Sequence, residues 1–283
     1  MGSGICPLGI IMINSTSNKQ IKNLVQLLTK AKARREQGLF VAEGVRMYRE
    51  TPKDRLVKTY VSESFYEKEE NRALLEGAEP EIVTDRVFAS TSDTKTPQGI
   101  LCVIRQREYT LSQMLRKENP MLMLLEDIQD PGNLGTIFRT AEAAGAAGII
   151  MSSGTADIYN PKTIRSTMGS IYRMPFLYVK DFAPVLEQLG KRGIRTYAAH
   201  LQGSGEYTAQ DYRKGCAFLI GNEGKGLTKE LAQSADARIK ISMSGEVESL
   251  NAAVSAAVLM FEAKRQRKRI VSAHMENRAH GSL

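Results

Sequence analysis

Residues 121–153 read MLMLLEDIQDPGNLGTIFRTAEAAGAAGIIMSS, an apolar run, a helical pattern and a second apolar run in succession. The two apolar runs predict buried strands, and the middle segment, 134–145, predicts an amphipathic helix. Strands of near-continuous apolar character that alternate with helices are typical of a parallel sheet covered on both faces. This stretch therefore predicts an α/β fold for the second half of the chain.

The same alternation continues towards the C-terminus. The further strand candidates are MPFLYV (174–179), RTYAAH (195–200), CAFLIG (216–221) and ARIKIS (237–242). The helical patterns among them are PKTIRSTMGS (161–170), FAPVLEQLGKRG (182–193), TKELAQSA (228–235) and SLNAAVSAAVLMFEAKRQRKR (249–269). In such sheets ligands bind beyond the carboxyl ends of the strands, so residues directly after each strand are candidates for a site.

The first hundred residues predict a smaller α/β unit. A helix from about Ser17 places Ile21, Leu24, Val25 and Leu28 at helical spacing. Strand candidates follow at 38–44, 56–62, 80–85 and 99–106, and helical patterns at 45–50, 70–77 and 86–92. We therefore predict a first domain over 12–107, a polar linker over 108–120, a second domain over 121–270 and a disordered tail over 271–283.

The composition, 42% hydrophobic and 25% charged over 283 residues, is typical of a soluble globular protein. The leader MGSGICPLGIIMIN has no basic start and no clear cleavage site, so we expect a cytoplasmic protein with no membrane span. Whether the chain begins at Met1 or at Met12 stays open. Cys6, Cys102 and Cys216 are dispersed, which predicts reduced thiols and no metal site.

The formal net charge of +8 favours a polyanionic partner such as RNA, although a solvated basic surface is the alternative. Basic residues crowd one N-terminal helix and the end of the last helix, 264–269. These two helices could frame one nucleic-acid groove. The residues predicted to contact RNA are Lys19, Lys22, Lys32, Arg34 and Arg35.

The run AFLIGNEGKGLT (217–228) raises the possibility of a phosphate-binding loop. Gly221 and Gly226 fall in register with the pattern of nucleotide hydrolases, but Leu227 stands where the lysine should be. Glu223 would also repel a triphosphate. The loop therefore predicts close backbone approach to another ligand, with an ordinary glycine-rich turn as the alternative.

Two further strand ends carry polar residues. After the first strand, Asn133 could cap the next helix, and Arg139, about one turn into that helix, is placed to grip a phosphate. A capping turn alone also explains Asn133. After the last strand, Ser249 or Asn251 could cap the final helix.

Three segments, NLGTIFRTAEAAG (133–145), LIGNEGKGL (219–227) and ISMSGEVESLNAAVSAAV (241–258), resemble in this order the signatures of the SpoU (TrmH-type) RNA ribose methyltransferases of the SPOUT superfamily. The resemblance covers about 121–267. More loosely, 17–44 resembles the RNA-binding domain that many of these enzymes carry. The resemblance implies a homodimer, and a parallel α/β domain with a C-terminal trefoil knot, an exception to the rule against knots.

The resemblance also implies S-adenosyl-L-methionine as cofactor and methyl transfer to a ribose 2′-hydroxyl of RNA without a metal ion. Ribosomal RNA is the first expectation and tRNA the second. By matching positions, the cofactor contacts are Gly221, Asn222, Gly226, Ile241, Met243 and Leu250. The implied catalytic residues are Arg139, Asn133, Glu223, Ser249 and Asn251.

The family assigns the role of base to Arg139, but a guanidinium does not readily lose its proton. We instead expect Arg139 to orient a phosphate and to stabilise the developing alkoxide, with Asn251 as its hydrogen-bond partner. Two rival interpretations stay open: an RNA-binding module without catalysis, and a knotted methyltransferase that acts on a base.

Overall fold

The structure is a computed structural model that describes residues 3–5, 11–201 and 205–280. The chain forms two compact units. The first comprises Met1–Arg107 and Asp157–Tyr172, and the second Glu108–Ala156 and Arg173–Leu283. Strands and helices are numbered in chain order.

The first unit contains, within its described residues, a mixed sheet of six strands in the order β1-β2-β5-β4-β6-β3. The strands are β1 Ser3–Ile5, β2 Ile11–Ile13, β3 Leu39–Glu43, β4 Leu56–Ser62, β5 Glu81–Val83 and β6 Ile100–Arg105. Strand β6 pairs antiparallel with both β3 and β4, whereas β5 is parallel to β2 and β4. The predicted small α/β domain is therefore present.

The helices of the first unit are α1 Lys19–Thr29, α2 Ala31–Gln37, α3 Val45–Glu50, α4 Glu63–Glu67, α5 Glu69–Leu74, α6 Asp85–Thr91 and α9 Pro161–Thr167, and Ser170–Tyr172 is a 3-10 turn. Helix α1 begins after Asn18, whose side chain accepts a hydrogen bond from the backbone N–H of Gln20. The predicted apolar stripe is wrong at Val25, which is 37% exposed. Leu27 is buried instead, and it packs with Ile21, Leu24 and Leu28 in the core of the first unit.

The segment 157–172 belongs to the first unit, whereas the sequence placed it in the second domain. The carboxylate of Asp157 accepts hydrogen bonds from Arg34 Nη2 and Nε at 2.7 and 3.1 Å. The rings of Tyr159 and Phe40 lie 4.8 Å apart. These contacts with α2 and β3 explain why the segment packs with the first unit.

Arg34 was predicted to bind RNA, and the structure contradicts this prediction. Arg34 is 3% exposed. Besides its pair with Asp157, its Nη1 donates to the carbonyl oxygens of Leu27 and Leu28 at the end of α1. All three guanidinium nitrogens therefore donate hydrogen bonds to acceptors within the protein. The other predicted RNA contacts, Lys19, Lys22, Lys32 and Arg35, are exposed.

The second unit contains, as far as its residues are described, a parallel sheet of seven strands in the order β11-β13-β10-β12-β7-β8-β9. The strands are β7 Met121–Leu125, β8 Gly148–Ser152, β9 Phe176–Val179, β10 Arg195–Ala199, β11 Gly205–Glu206, β12 Cys216–Ile220 and β13 Ala237–Lys240. The helices are α7 Leu111–Met114, α8 Pro131–Ala144, α10 Ala183–Lys191, α11 Lys229–Ser234 and α12 Ala252–His280, and Tyr207–Ala209 is a 3-10 turn. The predicted parallel α/β fold is confirmed.

Strands β7 and β12 lie side by side within this sheet and are buried along their whole length. Their register pairs Cys216 with Met121 and Ile220 with Leu125. Both strands therefore end at the same level. The loops that follow them start next to each other, which brings two of the three family-like segments together.

Two predicted boundaries of the second unit differ from the structure. The linker 108–120 contains α7, and its Met114 is buried in the core beside Gly148, where a Cβ atom would collide with the Met114 side chain. The linker is therefore part of the folded unit. Helix α12 continues to His280, whereas the sequence predicted a disordered tail from residue 271. Residues 281–283 lie outside the described residues.

The basic end of α12 makes structural contacts that the charge pattern did not predict. Arg265 pairs with Glu262 at 2.6 Å. Arg267 donates to the backbone carbonyl oxygens of Tyr212 and Lys214. Arg267 therefore connects the helix to the residues before β12, whereas the Arg265 pair lies within the helix itself.

Free thiols are found at Cys102 and Cys216, and both are buried. Burial raises the pKa of each thiol above its ordinary value. The prediction of buried, reduced thiols is confirmed for these two residues, and Cys6 lies outside the described residues. No described helix has both the length and the apolar character needed to cross a membrane.

Arg34→Ala should destabilise the first unit. The substitution leaves Asp157 without its buried partner and the carbonyl oxygens at the end of α1 without a donor. Because Asp157 is 30% exposed, we expect a loss of about 3 kcal/mol, at the low end for a broken buried pair. Urea denaturation measures this loss.

The matched control is Arg35→Ala at the exposed neighbouring position, which should change stability little. Equal stability of the two variants would contradict a structural role for Arg34.

Candidate active site

A cavity of about 570 Å³ lies at the carboxyl ends of the strands of the second unit. Three segments form it: the loop after β7 with the start of α8, the loop after β12, and the residues before α12. Its lining residues are Gln129, Asp130, Pro131, Asn133, Glu223, Ser249, Leu250, Asn251 and Ala252. The structure therefore brings together residues from all three family-like segments.

Helix α8 begins with Asp130 as its capping residue. The Asp130 side chain accepts a hydrogen bond from the backbone N–H of Asn133 at 2.8 Å, and Pro131 occupies the first helical position. The prediction that Asn133 caps this helix is wrong, because the helix starts two residues before it. The side chain of Asn133 is consequently available to the cavity.

The carboxylate of Glu223 joins the loop after β12 to the loop after β7. It accepts hydrogen bonds from the backbone N–H groups of Gln129 and Asp130, both at 3.0 Å, and from Asn133 Nδ2 at 3.1 Å. Burial by itself would raise the pKa of Glu223, but these hydrogen bonds to the charged form outweigh it and lower the pKa. Glu223 is therefore held as a carboxylate.

Asn251 connects the start of α12 to the same network. Its Oδ1 accepts from the backbone N–H groups of Ala253 and Val254 at 2.8 and 3.3 Å, which caps the helix. Its Nδ2 donates to Asn133 Oδ1 at 2.9 Å. Of the two predicted caps, Asn251 is the one that the structure uses. Asn251 was predicted to be the hydrogen-bond partner of Arg139, but among the described residues it bonds Asn133.

These contacts determine the orientation of both amides. Asn251 must point its oxygen at the helix and its nitrogen at Asn133, which in turn must point its nitrogen at Glu223. The donors therefore run in one direction, from Asn251 through Asn133 to Glu223. Such a chain requires an acceptor at its end, which an ionised carboxylate provides.

Arg139 lies on α8, eight residues after Pro131, and its side chain is exposed. It is thus about two turns into the helix, not one turn as predicted, because α8 starts earlier than its sequence pattern indicated. The described residues that line the cavity do not include Arg139. Its catalytic role stays a prediction.

The glycine-rich loop folds back on itself. The backbone N–H of Asn222 donates to the carbonyl oxygen of Gly226 at 3.1 Å, and the reverse bond is 2.8 Å long. A Cβ atom on Gly221 would lie 2.1 Å from the backbone of Gly226, so only glycine fits there. Gly226 has φ of +69°, in the left-handed region. The close approach in the structure is that of the loop to itself, as in the alternative of a glycine-rich turn, and approach to a ligand stays a prediction.

The segment between β13 and α12 offers unused backbone groups to a ligand. Among the described residues, no hydrogen bond involves a backbone group of residues 241–250. Ile241 and Met243 are half-buried, and Leu250 lines the cavity. Free N–H and C=O groups beside apolar side chains suit a purine ring and a ribose. These residues therefore fit the nucleoside part of S-adenosylmethionine.

The sequence did not single out several residues of the site. Gln129 and Asp130 contribute backbone donors to Glu223, and Pro131 and Ala252 line the cavity. The Asp-Pro pair at 130–131, in the loop that follows β7, was the available signal, since it is typical of a helix start. Among the described residues, no group of three or more His, Cys, Asp or Glu side chains is arranged to hold a metal ion.

Sequence models of known families match both halves of the chain. The SpoU rRNA Methylase family matches residues 120–261, and the MRM3-like substrate binding domain matches residues 18–102. The chain belongs to the SpoU rRNA Methylase family. The 23S rRNA (guanosine(2553)-2′-O)-methyltransferase RlmP of Bacillus subtilis is 31% identical over 252 residues, which cover 88% of this chain and 97% of that protein.

Solved SpoU structures have the same fold. The AdoMet complex of the SpoU methyltransferase AviRb from Streptomyces viridochromogenes has a TM-score of 0.80 at 26% identity, over 88% of this chain and 98% of that one. The AdoMet-bound rRNA methyltransferase of Sinorhizobium meliloti has a TM-score of 0.78 at 31% identity, over 90% of this chain and 97% of that one. The predictions of an RNA 2′-O-ribose methyltransferase and of S-adenosylmethionine as its cofactor are confirmed.

Gly221→Ala should abolish binding of S-adenosylmethionine, because the added methyl group would displace the backbone of Gly226. The matched control is Gly193→Ala in the exposed turn before β10, where the added atom meets nothing within 4 Å and only the left-handed backbone is strained, at about 1 kcal/mol. Isothermal titration calorimetry compares the two. Similar cofactor affinity in both variants would contradict this account of the loop.

Glu223→Gln should remove a pH-dependent part of the stability. Because the folded-state pKa of Glu223 is lowered, its contribution is complete above the ordinary glutamate pKa of about 4.3 and disappears as the pH falls through the lower folded value. The difference in unfolding free energy between wild type and variant should therefore be constant above about pH 5 and shrink below it. Urea denaturation from neutral to acidic pH tests this; a difference that does not change with pH would refute it.

Proposed function

We propose that this protein transfers a methyl group from S-adenosylmethionine to the 2′-hydroxyl of one nucleotide in ribosomal RNA. The observation that carries the proposal is the hydrogen-bonded chain from Asn251 through Asn133 to Glu223, which joins the three family segments in one cavity. The name of the Bacillus subtilis relative, a 23S rRNA 2′-O-methyltransferase, supports ribosomal RNA as the target class.

The cofactor, when bound, supplies a methyl group already activated by its sulfonium centre. The protein then has to orient the acceptor hydroxyl and to assist the loss of its proton. The cavity offers fixed amide and backbone donors for orientation. Arg139 would place a phosphate of the RNA and stabilise the developing alkoxide. Ser249, which lines the same cavity, would help to orient the substrate.

The first unit would hold the RNA. Its sequence matches a substrate binding domain, and Lys19, Lys22, Lys32 and Arg35 present exposed charges on α1 and α2. Cations on one side of a domain neutralise phosphates and make binding dependent on salt. The 2′-hydroxyl as methyl acceptor would also explain selection of RNA over DNA.

We further propose that the protein works as a homodimer in the cytoplasm, with a trefoil knot in its second unit. The helix α12 supports the homodimer, because Val254 and Phe261 on it are 47% and 46% exposed. These side chains are seven residues apart, so they share one face of the helix. An exposed apolar face of this kind suits burial against a second copy.

The test of the proposed function is transfer of labelled methyl groups to ribosomal RNA and tRNA transcripts, followed by nuclease digestion and identification of the modified nucleoside. We expect a 2′-O-methylated nucleoside in ribosomal RNA. Arg139→Ala and Asn251→Ala should remove the product, whereas Arg139→Lys should retain part of the activity, because lysine still provides a cation for the phosphate.

Other outcomes would point to different functions. A methylated base would preserve the enzyme class but refute ribose as the target. Labelled tRNA without labelled ribosomal RNA would show that the target is tRNA. Activity of Arg139→Ala equal to wild type would exclude the arginine from the reaction. Binding of RNA without any methyl transfer would favour the non-catalytic RNA-binding module.

A further inference from the structure

Asp127 lies two residues after β7 and does not itself line the cavity. Its backbone has φ of +55°, in the left-handed region that residues with a side chain rarely adopt. Aspartate and asparagine tolerate this conformation better than other such residues. Strained backbone of this kind clusters at functional sites. The contacts of Asp127 with the neighbouring loops show what this backbone conformation supports.

The loop after β8 holds the amide and the carboxylate of Asp127. The backbone N–H of Asp127 donates to Ser152 Oγ at 2.9 Å, and the Ser152 hydroxyl donates back to Asp127 Oδ1 at 2.6 Å. A Cβ atom on Gly154 would lie 2.2 Å from Asp127 Oδ1, so the absence of a side chain there makes room for the carboxylate. This reciprocal pair secures one side of Asp127.

The loop after β12 holds the carbonyl group of Asp127. Asn222 Nδ2 donates to the Asp127 oxygen at 2.8 Å, while Asn222 Oδ1 accepts from the backbone N–H groups of Gly224 and Lys225, both at 3.0 Å. Asp127 is thus the point where the loops after β7, β8 and β12 are joined. The same loop after β12 carries Glu223.

The residues that follow Asp127 depend on its backbone direction. Gln129 donates from its side chain to the carbonyl oxygens of Gly154 and Asp127 at 2.5 and 3.3 Å. The backbone N–H groups of Gln129 and Asp130 reach the Glu223 carboxylate. A change of φ at Asp127 would turn both donors away from Glu223, which also orients Asn133.

We propose that Asp127 is a positioning residue of the methyltransferase, and that its left-handed backbone, not its carboxylate charge, aims the Gln129 and Asp130 amides at Glu223. The expected effect on kcat rests on the proposed function. Its structural content, the order of the loop 126–133, can be measured without any reaction.

The experiment compares three substitutions at Asp127. Asp127→Asn and Asp127→Gly both allow the left-handed backbone, although neither has the negative charge. Asp127→Val strongly disfavours that backbone. We expect the Asn and Gly variants to retain most of the wild-type kcat, and the Val variant to lose about tenfold or more, since small misplacements of catalytic groups are costly.

A second readout is amide hydrogen exchange of peptides that cover residues 126–134, measured without substrate. Exchange at Gln129 and Asp130 should accelerate in Asp127→Val and stay near the wild-type rate in Asp127→Asn. If Asp127→Val does not fold, Asp127→Ala replaces it. Its kcat and its exchange rate should then lie between those of Asp127→Gly and those expected for Asp127→Val.

Asn119→Val is the matched control, because Asn119 also has left-handed backbone, with φ of +49°, but is exposed at the opposite end of β7. It should carry a similar cost in stability with no change in kcat. Rates are normalised to the fraction of protein that binds S-adenosylmethionine, so a loss of folded protein does not count as a loss of kcat.

The proposal is overturned if Asp127→Asn and Asp127→Gly are as slow as Asp127→Val, since the carboxylate itself would then be needed. It is also overturned if Asp127→Val matches wild type in kcat and in exchange. If wild type methylates no RNA, the proposed function fails, and the exchange rates alone still decide the role of Asp127.

Discussion

The carboxylate of Glu223 is the interaction on which the candidate active site depends. It accepts two backbone N–H groups from the loop after β7 and the side-chain amide of Asn133. Both oxygens of the carboxylate accept, which favours the ionised form, and the donors in turn lower its pKa. The charge and the geometry therefore maintain each other. Without this acceptor, the three donors from the loop after β7 and the start of α8 would lose their partner.

The parallel sheet makes this interaction possible. Because β12 lies beside β7 in register, the loops that follow them begin at the same level, although the strands are far apart in sequence. Gly221 then allows the loop after β12 to fold back closely on itself. The start of α12 completes the site through Asn251, which caps its own helix and orients Asn133 with the same side chain. One amide thus serves both stability and function.

The charge pattern along the chain does not distinguish cations that are buried in ion pairs from cations on the surface. Arg34 stands among exposed lysines and arginines, and the pattern gave no sign that it is buried against Asp157. Arg267 likewise donates to backbone carbonyl groups and does not extend a basic surface. Periodicity predicted α1 but placed Val25 on the buried face instead of Leu27. Both residues lie at the edges of the apolar stripe, where the surface that packs against the helix decides which one is buried.

The sequence by itself determined the α/β class, the family and the residues that meet in the cavity, notably Asn133, Glu223 and Asn251. Strand and helix periods are local, and the ends of parallel strands must lie at one edge of a sheet. Only the tertiary structure decided which donor meets which acceptor, that the segment 157–172 packs with the first unit, and that Asp127 joins three loops. These features depend on strand order and on contacts between residues far apart in the chain, which no local pattern specifies.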